Sequence, residues 1–232
     1  MTAPLNRDQM AWRVAQDIPG GSYVNLGIGM PEMVSNHLPE DRQIIFHCEN
    51  GILGMGPVAA MGEEDFDLVT AGKKPVTAIA GAAFFDSADS FAMIRGGHLD
   101  IAVLGAFQVS AGGDLANWST GLAGSTPAVG GAMDLAQGAR AVFVITEHTT
   151  KDGAPKIIPE CSYPLTAAGV VTSVFTDLAV IDIGKNGPVV REMVAGLSFD
   201  DLQARTGATL TLSPTCKVLK APALKATQRH PI

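Results

Sequence analysis

The chain has 232 residues and a formal net charge of -7, with 47% hydrophobic and 17% charged residues. That length suits one large α/β domain or two small ones, and the apolar fraction builds a sizeable core and excludes long disorder. The acidic balance argues against non-specific nucleic-acid binding, which needs a basic surface, although local N–H groups and a few cations still hold a small anion.

The N-terminal run Met1-Thr2-Ala3-Pro4-Leu5 has no apolar core of a signal peptide. No apolar run approaches the ~20 residues of a membrane span without Gly, Pro or charge. Residues 8–18 are expected to form an amphipathic helix, with Met10, Val14 and Ala15 on one side, stopped by Pro19-Gly20-Gly21. Ser22 to Gly29 reads as a strand and Gly-rich turn, and Pro31 suits the first turn of a helix reaching Leu38. A strand at about 43–48 follows, and this β–turn–α–β order is the unit of a parallel α/β sheet. Strand 76–80, helix 87–95 ended by Gly96-Gly97, and the fully apolar strand 101–104 repeat it. A helix at 132–139 entered through Gly130-Gly131 leads to a buried strand at 141–145. Late strands are expected at 170–175 and 178–183, with a hairpin turn at Lys185-Asn186-Gly187, because Asn-Gly favours positive φ. Ser198 caps a C-terminal helix. The chain reads as one domain, with a loosely ordered tail over about 213–232 that contains Pro222 and Pro231.

The 26 glycines point to many tight turns. In Glu49-Asn50-Gly51-Ile52-Leu53-Gly54-Met55-Gly56-Pro57 a carboxylate leaves a short apolar strand and enters bare backbone. A carboxylate presented this way serves as a nucleophile or a base, or else only caps backbone N–H groups at a turn. Gly27-Ile28-Gly29 starts like a dinucleotide fingerprint, but Glu32 stands where a third glycine is needed. It reads as a turn bringing N–H groups and Asn25 towards a ligand, or as a tight turn with no ligand. Gly130-Gly131 opens a helix whose free N–H groups suit an anion or developing oxyanion, or else serves close packing.

Arg95 and His98 read as surface or helix-end residues, and Asn117-Trp118 as a loop that could line a pocket. Glu147-His148 is a pair at a strand end. His47-Cys48-Glu49 is no metal site, because neighbours on a strand point to opposite faces and no second cluster has ligand spacing. Three well-separated cysteines, Cys48, Cys161 and Cys216, suit a reducing cytoplasm better than a disulfide framework.

Taken together, Asn25 to Pro31, Glu49 to Pro57, Gly81 to Ser87, Ile94 to His98, Asn117-Trp118 and Gly130 to Asp134 resemble the B-type chain of the family I 3-oxoacid coenzyme A transferases. The resemblance covers roughly residues 5–212. Leu115 to Trp118, Pro127 to Gly131 and Glu147 to Gly153 are most similar to the members that use 3-oxoadipate and succinyl-CoA in aromatic-compound breakdown. It implies an open, mainly parallel sheet flanked by helices, a Rossmann-like three-layer α/β fold. It implies Glu49 as the nucleophile that carries CoA as a thioester, Asn25 as a side-chain oxyanion donor, and the Gly130 or Gly131 N–H as a backbone donor. Gly27 and Gly29 join them as substrate-binding candidates. CoA is then a substrate and transient adduct, and no separate cofactor or metal is implied. The glycine-rich Gly-Gly-Phe-Gly turn of the family's A part is absent from this sequence, so a separate A-type CoA-transferase chain in an A2B2 assembly is implied.

Three rivals stand beside this reading. A sugar-phosphate isomerase or related enolising enzyme would use Glu49 as a base and bind phosphate without a covalent adduct. A non-catalytic ligand-binding protein would bind without turnover. An acetoacetate-specific member of the same family would differ in acceptor only.

Overall fold

The computed structural model describes residues 3–39, 41–121 and 127–224. Helix α1 (Arg7–Asp17) starts at Asn6, whose side chain accepts from the Gln9 N–H while the Gln9 side chain accepts from the Asn6 N–H. Strand β1 (Tyr23–Leu26), a 3₁₀ helix (Pro31–His37) and strand β2 (Ile45–Cys48) follow as expected. Two strands come next, β3 (Ile52–Val58) and β4 (Val76–Phe84). Helix α2 (Ser87–Arg95) is capped by Asp86 and leads to β5 (Ile101–Leu104), which is buried along its whole length. Short strands β6 (Gln108–Ser110) and β7 (Leu115–Ala116) precede helix α3 (Ala132–Gly138) and strand β8 (Ala141–Ile145). Strands β9 (Ile157–Ile158), β10 (Val171–Phe175), β11 (Ala179–Gly184) and β12 (Gly187–Val194) lead to helix α4 (Phe199–Ala204) and strand β13 (Thr211–Leu219).

Ten strands form one sheet in the order β13-β12-β11-β10-β8-β5-β1-β2-β3-β4, while β7-β6-β9 form a small second sheet. The central run β10-β8-β5-β1-β2 is parallel throughout, and antiparallel hairpins extend it on both sides. Helix α1 packs with the 3₁₀ helix and against β8 and β10, and α2 packs with α3, which lies against β5. The fold is therefore the expected α/β sheet with flanking helices, made mixed by its edges. The chain leaves β1 on one side for β2 and returns on the other as β5. In open α/β sheets such a switch point, at the C-terminal strand ends, is where ligands bind.

Two differences from the sequence reading have physical causes. Gly54 and Gly56, after Glu49, do not end regular structure; they lie within β3. Gly54 has φ +88°, and any Cβ there would meet Ala82 on β4 at 3.1–3.2 Å, so the glycine permits both a bulge and close strand approach. Residues 213–219, expected to open a loose tail, complete β13 instead, parallel to β12 with Met193 opposite Val218. Pro214 fits there because β13 is an edge strand, whose outer N–H groups need no partner. The rest of the expected tail, 225–232, lies outside the described residues.

Candidate active site

Glu49 occupies a three-residue hairpin loop between β2 and β3, with Cys48 paired to Ile52. The Gly51 N–H donates to the Cys48 carbonyl at 2.9 Å, and Gly51 has φ +112°. That is a tight turn closed by a left-handed residue, the usual build of a three-residue hairpin loop. A Cβ on Gly51 would also fall on the Phe85 carbonyl oxygen, so glycine is required twice over. Asn50 fastens the loop by donating to the Val69 carbonyl at 2.7 Å. The Glu49-Asn50-Gly51 sequence thus has a conformational reason, and it sets the carboxylate at the C-terminal end of a parallel strand.

The carboxylate rests on the start of α3. A Cβ built on Gly131 would fall on Glu49 Oε2, and would lie 3.0 Å from Cδ and 3.1 Å from Phe91 Cζ. Gly131 is the residue before the first turn of α3, with an unstrained φ of -82°. Its lack of a side chain is what admits the carboxylate. Burial pushes the Glu49 carboxyl up, and the Asp134 charge adds to the rise. Asp134 is held by Arg95 Nε at 2.6 Å, and the Arg95 guanidinium lies over the Phe91 ring.

Asn25 stands on β1 opposite His47 on β2, two residues before Glu49. It is 3% exposed, and its Nδ2 donates to the His47 carbonyl at 3.0 Å and lies 3.2 Å from His47 Nδ1. The Gly27 and Gly29 N–H groups are engaged within the chain. The Gly27 N–H donates to the Val103 carbonyl at 2.8 Å, and a Cβ there would press on Leu104 and Val103 at 3.2 Å. Gly29, with φ +91°, donates to Glu32 Oε2 at 3.3 Å, and Lys74 Nζ holds the same oxygen at 2.7 Å. The turn is stabilised by Glu32, at the position where a dinucleotide fingerprint needs glycine.

Asn117, Trp118, Glu147 and His148 are engaged within the chain. The Asn117 amide donates to the Gly105 carbonyl and accepts from Thr166, and Trp118 Nε1 donates to the Leu165 carbonyl. Glu147 and His148 form no dyad: Glu147 pairs with Arg7, while the His148 ring is buried between Thr176 and Thr206. Among the described residues no group of three or more His, Cys, Asp or Glu could hold a metal ion. No helix among them is long and apolar enough to cross a membrane. Sequence reasoning missed Ser90 and Phe91, which enter the site only because α2 packs over the β2 end; no periodicity or motif marks them.

Residues 7–205 match the family described as Coenzyme A transferase. The chain belongs to that family. It is 59% identical over 210 residues to the B chain of 3-oxoadipate CoA-transferase from Pseudomonas putida, covering 90% of this chain and 98% of that one. It is 58% identical to the protein of the same name from Acinetobacter baylyi, over 89% of this chain and 95% of that one. The B chain of succinyl-CoA:3-ketoacid coenzyme A transferase from Helicobacter pylori is 47% identical over 87% of this chain and 97% of its own. Among solved structures, the apoenzyme of an acyl-CoA transferase from Escherichia coli O157:H7 superposes with a TM-score of 0.72 at 20% identity. That match covers 94% of this chain and 44% of the larger one. Glutaconate coenzyme A-transferase of Acidaminococcus fermentans gives 0.69 at 18% identity, over 96% and 92% of the two chains. At such identities these structures establish the fold shared with the coenzyme A transferase chain.

Proposed function

We propose that the chain is the catalytic B-type component of a succinyl-CoA:3-oxoadipate CoA transferase, working through a thioester on Glu49. The observation that carries this reading is the Glu49 carboxylate laid on Gly131 at the opening of α3, in a chain 59% identical to the B chain of a 3-oxoadipate CoA-transferase.

The Glu49 carboxylate attacks the thioester carbonyl of succinyl-CoA, and the tetrahedral intermediate expels CoA thiolate to leave a mixed anhydride. The thiolate attacks the glutamyl carbonyl and expels succinate, so CoA becomes a thioester on Glu49. A carboxylate of 3-oxoadipate then attacks that thioester, releasing thiolate and forming a second mixed anhydride. Thiolate attacks its acyl side, giving 3-oxoadipyl-CoA and the free Glu49 carboxylate. Each tetrahedral oxyanion is met by the Asn25 amide and the Gly130 or Gly131 N–H, each such donor being worth ~10²–10³ in rate. The raised basicity of Glu49 favours the role, since the more basic carboxylate is the better nucleophile.

An A-type chain completes the site, in an A2B2 assembly in the cytoplasm. The relatives are named as the B component of their enzymes, which supports a partner, and three free cysteines suit the compartment. The acceptor is 3-oxoadipate rather than acetoacetate, supported by identities of 58–59% to the 3-oxoadipate proteins against 47% to a 3-ketoacid enzyme. The test is isotope exchange in the complex with the A-type partner. A ping-pong glutamyl-CoA route exchanges labelled succinate into succinyl-CoA with no acceptor present. No exchange, alongside normal transfer when 3-oxoadipate is added, contradicts it.

A further inference from the structure

We propose that His47 is a positioning residue for this reaction: its imidazole, locked as one tautomer by Ser90, fixes the Asn25 carboxamide with its N–H end towards the strand that carries Glu49. The inference rests on the covalent role of Glu49 and adds a group that the motifs did not single out.

Three side chains form a buried row across β1, β2 and α2. Asn25, His47 and Ser90 are 3%, 2% and 0% exposed. Asn25 Nδ2 lies 3.2 Å from His47 Nδ1, and His47 Nε2 lies 3.0 Å from Ser90 Oγ. An amide nitrogen only donates, so Nδ1 must accept and the ring proton sits on Nε2. Ser90 Oγ accepts that proton, and its own hydrogen is directed at the Cys48 carbonyl at 3.5 Å, the carbonyl just before Glu49. Burial lowers the basicity of His47, which favours the neutral ring. The Phe85 ring stacks on it at 6.1 Å between centroids, which holds its plane.

The consequence falls on Asn25. A carboxamide has two faces related by a flip, and nothing in its shape chooses between them. Here Nδ2 meets two acceptors of one residue, the His47 carbonyl at 3.0 Å and Nδ1. The flipped amide would set Oδ1 against both acceptors. If the ring proton moved to Nδ1, the two acceptors would become an acceptor and a donor and no single orientation would satisfy both. Ser90, by taking the Nε2 proton, removes that conflict. The contact to Nδ1 is the longer of the two, and an oxyanion is a stronger acceptor than an imidazole nitrogen. As charge develops, that N–H turns to the oxyanion while the bond to the His47 carbonyl keeps the amide in place.

The experiment is steady-state kinetics of the complex with the A-type partner, together with a thermal melt of each variant. Succinate exchange in the wild type is measured first; its absence refutes the covalent reading itself, independently of how the variants behave. With exchange present, His47→Leu lowers kcat by about 10–10²-fold with KM for succinyl-CoA nearly unchanged, part of the full cost of one oxyanion donor. His47→Asn, which restores an acceptor near the Nδ1 position, recovers at least a tenth of the wild-type kcat. Ser90→Ala, on a different element, lowers kcat in the same way and keeps the test open if His47→Leu fails to fold. In an Asn25→Ala background the Ser90 and His47 substitutions have no further effect on kcat. An unchanged kcat in Ser90→Ala, or the same fold-loss with and without Asn25, overturns the inference.

Discussion

Gly130 and Gly131 are neighbours with opposite demands, and alanine at each separates site geometry from stability. At Gly131 the backbone is ordinary, so alanine adds no strain, but its Cβ falls on Glu49 Oε2. To regain an ordinary C···O separation of about 3.4 Å the carboxylate must retreat by roughly 1 Å. A displacement of that size costs on the order of 10²-fold in a reaction that depends on alignment. Gly131→Ala is therefore expected to lower kcat about 10²-fold while the melting temperature moves by a few degrees at most. At Gly130 the reverse holds. Its φ of +54° disfavours any side chain, at about 1–2 kcal/mol, yet nothing lies within 4 Å of its Cβ position. Gly130→Ala should melt lower by several degrees and keep kcat within about tenfold. The assay is transfer by the assembled complex with a scanning melt of each variant. Wild-type kcat in Gly131→Ala, or a loss in Gly130→Ala as large as in Gly131→Ala, would refute the reasoning.

Glu49→Gln should raise the melting temperature near and above neutral pH while abolishing transfer, because it removes a charge whose burial is unfavourable. Since the folded carboxyl is raised, wild-type stability falls as pH rises from the ordinary carboxylate range through the raised value, so the gap between the two proteins should close as pH drops. A gap of the same size at every pH would contradict that origin. His148 gives the opposite sign: burial depresses it to about 4, with Arg205 adding to the fall. Its contribution of about 3 kcal/mol is complete above 6.5 and lost as pH falls through 4. Compared with His148→Gln, the wild type should lose stability over that interval; parallel pH curves would refute it.

Much of the fold was legible because its signals are local. Ile101 to Leu104 is apolar at every position, as a strand buried on both faces must be, and it is the buried centre of the parallel run. Ser198 caps α4 through its own side chain, as its position before Phe199-Asp200-Asp201 implies. What was not legible depends on partners distant in sequence. Strand β3 was hidden by Gly54 and Gly56, which weaken a strand on their own and are required only because β4 comes so close. Strand β13 was hidden by Pro214, permitted only by its place at the edge. At the site, Glu49 stood out as a carboxylate among glycines, but the reason for Gly131 appears only when α3 meets the hairpin. His47 was read as a false metal ligand, and its real neighbours, Asn25 and Ser90, are 22 and 43 residues away. The partners of the first-turn glycines were equally hidden, since the Gly27 and Gly29 N–H groups donate to Val103 and Glu32.

The most direct measurement on the central claim is the identity of the covalent adduct. The complex with the A-type partner is incubated with succinyl-CoA and no acceptor, reduced with borohydride or cleaved with hydroxylamine, digested, and mapped by mass spectrometry. A single modified peptide is expected, with the change on Glu49 and none in Glu49→Ala. Modification at another residue, or unmodified Glu49 in a complex that transfers CoA at a normal rate, would contradict it.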